Sequence, residues 1–472
     1  MSGIFAGERA VVVGFGASGQ AAASALAAEG AEVRVSEARP VEALAIPPGL
    51  EGLDVAGGGH RPEHLDGATV VVLSPGVTEH APVVAWARDR RLRVWSELEL
   101  GARLFDGPVI AVTGTNGKTS TTEVVAAALT AAGLTARACG NVGYPFSTAA
   151  TEGFEVLAVE CSSFQLRFTE TLRPKVSVLL NLAPDHLDWH ETFSAYAEAK
   201  ARIFRLQRDG DIHVGNRDDS PAAEVSHGAP CEVRWFREGL PEAGQTGIDG
   251  GGVVGLFDGR LELGRPRGGG RPFLVDCAAA AAAGLAFGLA PDAIARAIGS
   301  ASPGPHRGSM VAEVDGVRFV DDSKATNPGA ALAALEGKSG VVLIAGGLAK
   351  GLDLSPLASA ASSLRGVVAI GQAAPVLVEL FDGTTPVRVA SSMEEAVEEA
   401  FDLSAPGGEV LLAPGCASMD MFRDYRERGD RFADAARAVV RSRRRSQGEG
   451  QSRHTAPAEI SNGPADPGRS HA

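Results

Sequence analysis

Short β-branched runs recur along this 472-residue chain, each closed by Gly or polar residues and followed by an Ala/Leu-rich stretch of helical length. AVVVGF (10–15), EVRVSE (32–37), TVVVLSPG (69–76), PVIAVTG (108–114), EVLAVE (155–160) and VSVLLN (176–181) come first; VVLIAGG (341–347), VVAIGQ (367–372) and EVLLAP (409–414) follow. Near-continuous apolar strands alternating with helices belong to parallel sheets covered on both faces. At roughly 150 residues per domain, the length suits about three domains. Pro and Gly cluster near Phe105–Pro108 and Ser302–Pro305, which places boundaries there. The Gly-rich segment from Gly239 to Arg271 reads as loops and minor strands. From Arg441 the apolar periodicity stops, so 441–472 reads as a disordered tail.

Composition removes several function classes. Forty-four Lys+Arg against 58 Asp+Glu give a formal charge of −14, the wrong sign for a general nucleic-acid binder. Aromatics at 5% leave few stacking platforms. A local pocket for a phosphorylated ligand remains compatible with that charge. No apolar run reaches the ~18 residues of a membrane span; the run from Cys277 to Ala290 is too short and holds two Gly. The N-terminus lacks a basic segment followed by an apolar core, and Cys139, Cys161, Cys231, Cys277 and Cys416 form no CxxC pair. The expectation is a cytoplasmic α/β enzyme.

Gly14-Phe15-Gly16-Ala17-Ser18-Gly19 follows a strand and opens an Ala-rich helix, and Glu37 ends the next strand, about where a ribose-binding acid belongs. Backbone N–H groups at such a helix start favour phosphate. Alone, the motif is open to a nicotinamide dehydrogenase, another nucleotide binder or an unliganded turn. Gly114-Thr115-Asn116-Gly117-Lys118-Thr119 is far more specific, because it lies between an apolar strand and a helix. Its backbone can surround phosphates, Lys118 can reach the β/γ oxygens, and the Thr119 hydroxyl can ligate Mg²⁺. Val112 stands where a full Walker A would have its first Gly. These residues point to ATP binding and hydrolysis.

Glu160 ends the next strong strand, the place for a second Mg²⁺ ligand beside a phosphate loop. Asp185-His186-Leu187-Asp188-Trp189-His190 puts two acids and two imidazoles after VSVLLN, suited to metal or phosphate, although a solvated loop has the same composition. Lys200 falls on the apolar face marked by Phe193, Tyr196, Ala197, Ile203 and Phe204. There a lysine either snorkels, the outcome the pattern favours, or is buried with a lowered pKa. The third block holds Pro305-His306-Arg307, and DDSKATNP (321–328), GGLAKG (346–351) and PGCASMD (414–420) at the carboxyl ends of strands. Lys324, Thr326, Lys350 and Ser418 thus share one rim, a set suited to a carboxylate.

Together, GTNGKT (114–119), GNVG (140–143), ECSSFQL (160–166), DHLDWH (185–190), the Lys200 helix, PHR (305–307), DDSKATNP (321–328) and CASMD (416–420) resemble the Mur ligase family, ATP-dependent amide ligases of peptidoglycan precursor synthesis. The resemblance covers about residues 5–440. It implies an α/β fold of three domains: a Rossmann-like UDP-substrate domain over 1–105, a central P-loop ATPase-type parallel sheet over 106–303, and a Rossmann-like domain over 304–440 that closes on glutamate and nucleotide. DDSKATN, CASMD and SSFQL imply addition of D-glutamate to UDP-N-acetylmuramoyl-L-alanine, with L-glutamate or another amino acid as the alternative.

By the same resemblance, Phe15, Ser18, Glu37, Arg39, Ser74, Gly76 and Asn141 contact the UDP substrate, and Thr326, Lys350, Ser418 and Tyr425 hold glutamate. Gly114, Thr115, Asn116, Gly117, Lys118, Thr119, Ser120, Arg307, Asp322, Lys324 and Asn327 bind ATP. Thr119, Glu160, His186 and a carbamylated Lys200 ligate Mg²⁺, and Lys118, His186 and Lys200 are the implied catalytic residues. The implied partners are small molecules, acting on a monomer that neither binds nucleic acid nor enters a membrane. The chain departs from the family at Phe273 and Asp276, in a helix start where Asn is usual, and at Ser309, where Glu is usual.

Overall fold

The computed structural model describes residues 3–141 and 143–452, with side chains described through Arg444. Among these residues the chain forms three successive sheets of five, nine and six strands. In the first, Arg9–Val13, Glu32–Ser36, Asp54–Ala56, Val70–Leu73 and Arg93–Ser96 are all parallel. They lie side by side in the order third, second, first, fourth, fifth.

The second sheet centres on Val109–Thr113, with Val156–Glu160 on one side and Val176–Leu179 on the other. All three are buried along their whole length, as β-branched runs packed on both faces must be. Ala136–Gly140 forms one edge, while Ile212–Asn216 and Glu232–Phe236 extend the other. The Gly-rich segment after Gly239 supplies the minor strands expected of it: Gln245–Asp249, Gly252–Leu256 and Arg260–Glu262 complete this sheet through two antiparallel pairings. The Ala-rich stretch around Cys277 forms the helix Arg271–Phe287 and packs with Val124, Val125 and Leu129 of helix Lys118–Ala131 in one core. A helix apolar all round is buried, and its small side chains let the two helices approach closely. Among the described residues no helix is long and apolar enough to cross a membrane.

The third sheet runs Ser309–Val314, Val317–Asp321, Glu409–Leu412, Val341–Gly346, Leu364–Ile370 and Val387–Ala390 in space, and only the first pair is antiparallel. Glu409–Leu412 therefore lies between two strands earlier in the chain, which sets the loop after it beside the loops after Asp321 and Gly346. The chain is thus an α/β protein with three parallel-dominated sheets. The final helix spans Tyr425–Ser452, so 441–452 is helical rather than disordered; 453–472 lie outside the described residues. Loss of apolar periodicity marks only where the helix stops needing a core, and Arg, Gln and Glu continue it as good helix formers.

Candidate active site

Val109–Thr113 lies between the consecutive strands Val156–Glu160 and Val176–Leu179, where the chain crosses from one side of it to the other, and open α/β sheets bind ligands in the crevice at such a switch. The turn from Gly114 leads into helix Lys118–Ala131. Gly117 has φ +84°, and a Cβ there would collide with the Asp276 carboxylate, so only Gly fits. Asn181 pins the turn: its Oδ1 accepts from Asn116 N at 2.8 Å and its carbonyl from Thr115 N at 3.0 Å. Thr115 Oγ1 accepts from Ala183 N at 3.0 Å and lies 3.0 Å from the Tyr196 hydroxyl. Lys118 Nζ donates to the carbonyls of Gly114 at 3.0 Å and Thr115 at 2.9 Å.

Helix Phe193–Ala201 brings Lys200 against the same turn. Its Nζ donates to Gly114 O at 2.7 Å, lies 4.6 Å from the Tyr196 ring centroid, and is 1% exposed. Lys200 therefore does not snorkel, because the phosphate loop closes its route to solvent. Burial, reinforced by the nearby Lys118 charge, pushes its pKa well below the usual lysine range. Glu160 is buried and accepts from Asn141 Nδ2 at 2.9 Å. His186 has φ +53°, and its N–H donates to Asp185 Oδ1 at 2.9 Å. Burial lowers the His186 pKa and favours the neutral imidazole.

The third domain meets this turn directly. Asn327 Nδ2 donates to Asn116 Oδ1 at 3.1 Å and Asp185 Oδ2 at 3.3 Å, and Arg307 Nη1 donates to Ser120 Oγ at 2.9 Å. Burial and the neighbouring Asp321 push the Asp322 carboxyl up to about 7. Burial and Lys118 push Lys324 down to about 8, and its Nζ lies 4.0 Å from the Tyr425 ring centroid. A cleft of about 380 Å³ separates the two domains here. Thr115 through Ser120, Asn141, Glu160 and His186 line one wall, and Arg307, Asp322, Lys324, Thr326 and Asn327 the other. Gly114 and Lys200 sit behind that lining, and Lys350, Ser418 and Tyr425 lie outside it.

Lys350 (φ +52°) and the buried Ser418 are nonetheless brought together, since Leu348 and Ala417 bridge their loops. The fully buried Arg428 ties the Ser418 loop to the 321–328 loop, donating to Cys416 O at 3.0 Å and Ser323 O at 2.8 Å. Burial pushes Arg428 down to about 10.

No described residue of the first domain lines the cleft. Its expected set gathers elsewhere, with Phe15 N donating to Glu37 Oε2 at 2.7 Å and Arg39 N to Glu37 Oε1 at 3.0 Å. Burial alone would raise the Glu37 carboxyl, but the Arg39 side chain and these N–H groups outweigh it and hold it at about 2. The Phe15 side chain is buried, so it offers only its backbone to a ligand. Ser74 Oγ donates to Gly14 O at 3.1 Å, joining the loop that carries Gly76 to the turn that precedes Ser18.

Three groups here escaped the sequence reading, Asn181, the hydroxyl of Tyr196 and Arg428, while Asp276, read there only as a departure from the family, sets its carboxyl beside Gly117. Burial, opposed by Arg307, Ser120 and Lys118, pushes Asp276 up to about 8. A polar residue closing the apolar strand VSVLLN was the available signal for Asn181; the others depend on contacts between distant segments.

Three domain profiles match the chain in order: Mur ligase MurD-like, N-terminal domain over 8–96, Mur ligase middle domain over 112–239, and Mur ligase, glutamate ligase domain over 306–416. The chain is 45% identical over 452 residues to the UDP-N-acetylmuramoylalanine--D-glutamate ligase of Frankia casuarinae, covering 92% of this chain and 95% of that one. It is 40% identical to that of Salinibacter ruber, covering 90% and 96%. Among solved structures, UDP-N-acetylmuramate-alanine ligase MurC of Thermotoga maritima shares the fold at TM-score 0.58 and 17% identity, covering 91% and 99%. MurF ligase of the same organism, in complex with ADP, does so at 0.57 and 18%, covering 93% and 96%. With relatives this similar over nearly their whole length, the chain belongs to the Mur ligase family.

Proposed function

We propose that this chain joins D-glutamate to UDP-N-acetylmuramoyl-L-alanine, cleaving ATP to ADP and phosphate. The observation that carries the reading is the cleft where the phosphate loop, Glu160 and His186 face Arg307, Asp322 and Lys324. The relatives named for this reaction support the choice of substrates. The first domain, through the turn at Phe15–Ser18, Glu37, Arg39 and the Ser74–Gly76 loop, holds the UDP part. Thr326, Lys350, Ser418 and Tyr425 hold glutamate. The free cysteines suit a reducing cytoplasm.

An amide forms in water only from an activated carboxyl. An oxygen of the alanyl carboxylate takes the γ-phosphoryl group, the bond to ADP breaks, and an acyl phosphate results. The glutamate nitrogen then attacks the acyl carbon, loses a proton, and expels phosphate from a tetrahedral intermediate. Both steps gather anions, which Lys118, Arg307 and Lys324 offset in a cleft the third domain shields from water.

Thr119 and the Glu160 carboxylate suit Mg²⁺, which takes one or two protein oxygens together with phosphates. Among the described residues no three or more His, Cys, Asp or Glu side chains cluster so as to hold a metal ion by themselves. Bound there, Mg²⁺ would neutralise charge on the transferring phosphoryl group. His186 adds a neutral imidazole. Lys200 adds an anion once its nitrogen bonds to the carbon of CO₂ and releases a proton.

The test is ADP release with UDP-N-acetylmuramoyl-L-alanine and each glutamate enantiomer. ADP should form with D-glutamate and not with L-glutamate; turnover with L-glutamate or another amino acid alone would overturn the assignment.

A further inference from the structure

The last helix of the first domain, Glu97–Leu104, buries its opening residues from Glu97 to Gly101 without a break. A helix packed on one core would bury a single stripe. Here the two leucines go to different domains. Leu98 packs in the core of the second domain with Val109, Phe146 and Leu157, and Leu100 in that of the first with Val12 and Trp95. The two acids reach across the boundary, where each is met by donors of the second domain. Glu97 Oε1 accepts from Ser147 N at 2.6 Å and Ser147 Oγ at 2.7 Å. Glu99 Oε2 accepts from Glu170 N at 2.8 Å and Thr171 N at 2.9 Å, and its Oε1 accepts from Thr171 Oγ1 at 2.7 Å. A Cβ on Gly101 would strike the Phe146 ring, so the helix lies directly on the second domain. The third domain has no such shared element, since its two cores hold only its own described residues.

The same helix joins the two ligand-binding edges along the chain. It follows strand Arg93–Ser96 of the first sheet and leads into Val109–Thr113, which ends at the phosphate loop. Domains joined by one connector move against each other unless their interface is large and apolar. The acids add a further restraint, because a slip that admits no water leaves their oxygens and the facing N–H groups unpaired. We propose that Glu97–Leu104 is a splint that fixes the reach from the UDP turn to the phosphate loop, with Glu97 and Glu99 as positioning residues for the ligase reaction. This rests on the placement of the UDP part in the first domain and of ATP in the cleft. A substrate held at its UDP end then presents its alanyl carboxylate to ATP at a preset distance, so that UDP binding becomes alignment.

The experiment compares Glu99→Ala with wild type in ADP release, in calorimetric binding of UDP-N-acetylmuramoyl-L-alanine and of the non-hydrolysable analogue AMP-PNP, and in amide hydrogen exchange. A misplacement of about 1 Å costs on the order of a hundredfold in rate, so kcat should fall at least about thirtyfold. Both dissociation constants should stay within about threefold, because neither ligand site includes Glu99. A purely structural role would not separate kcat from the two affinities in this way. In wild type, peptides containing Ser147 and Thr171 should exchange as slowly as strand Val109–Thr113, and the Thr171 peptide should exchange faster in Glu99→Ala. If Glu99→Ala does not fold, the pair Ser147→Ala and Thr171→Val, which removes only two hydroxyl donors, should lower kcat about fivefold at unchanged affinities. Unchanged kcat, affinities that fall together with kcat, or fast exchange at Ser147 and Thr171 in wild type overturns the inference. A wild-type protein that binds no UDP substrate overturns the functional reading instead, and exchange still decides whether the junction is stiff.

Discussion

The Nζ atom of Lys200 lies 2.7 Å from the carbonyl oxygen of Gly114, a hydrogen bond spanning 86 residues of chain. The same carbonyl accepts from Lys118 Nζ at 3.0 Å. Two amines thus converge on one acceptor, one in the cleft wall and one buried behind it. Like charges this close cannot both be comfortable, and the deeper amine is the one driven toward its neutral form.

A neutral amine can add CO₂ and an arginine cannot. Lys200→Arg should therefore fold, judged by its melting temperature, yet lose ligase turnover by about a hundredfold or more. Depleting bicarbonate should lower wild-type turnover reversibly, and ¹³C-bicarbonate should give a carbamate resonance that Lys200→Arg lacks. Near-normal turnover in Lys200→Arg would leave Lys200 with a packing role only.

Lys118→Ala should abolish ADP formation while leaving affinity for UDP-N-acetylmuramoyl-L-alanine within about twofold. The cleft that Lys118 lines contains no described residue of the first domain, where the proposed contacts to the UDP part lie, so those contacts should survive the loss of Lys118. Calorimetric titration of the variant with the UDP substrate decides the point; collapse of that affinity at unchanged melting temperature would contradict it.

Ser418→Ala and Lys350→Ala should raise the glutamate KM far more than the ATP KM, each losing a charge-assisted hydrogen bond of ~1.5–3 kcal/mol. Arg428→Lys tests the same rim from beneath. Lysine cannot reach the Ser323 and Cys416 carbonyls with one planar group, so stability should fall by about 2–3 kcal/mol and the glutamate KM should rise. Equal rises in both KM values would instead point to domain closure.

Glu37 links acidity to stability. Its folded pKa of about 2 lies below the ordinary glutamate value, so its contribution is complete above that ordinary value, near 4.5, and fades as pH falls toward 2. Glu37→Gln should lower unfolding free energy by roughly 1–2 kcal/mol at pH 7. The gap from wild type should close between about pH 4.5 and pH 2. Urea titrations across that range measure it, and a gap constant with pH would mean the carboxylate charge contributes nothing.

The sequence by itself determined the sheet class, the strands that end at the ligand edge and the phosphate loop, because each rests on local chemistry: apolar runs buried on both faces, Gly where φ is positive, polar residues where a strand stops. It also placed Lys200 on an apolar face, but not whether that face let the amine escape to water. Only the tertiary structure decided that, by seating Phe193–Ala201 against Gly114 and closing the exit. The same holds for Arg307 on Ser120, separated by 187 residues, and for Arg428 joining two loops 93 residues apart, from Ser323 to Cys416. Such pairs carry no periodicity or spacing of their own. They arise when sheet order brings distant strand ends side by side, and buried polar groups then bond to whatever partner the packing supplies.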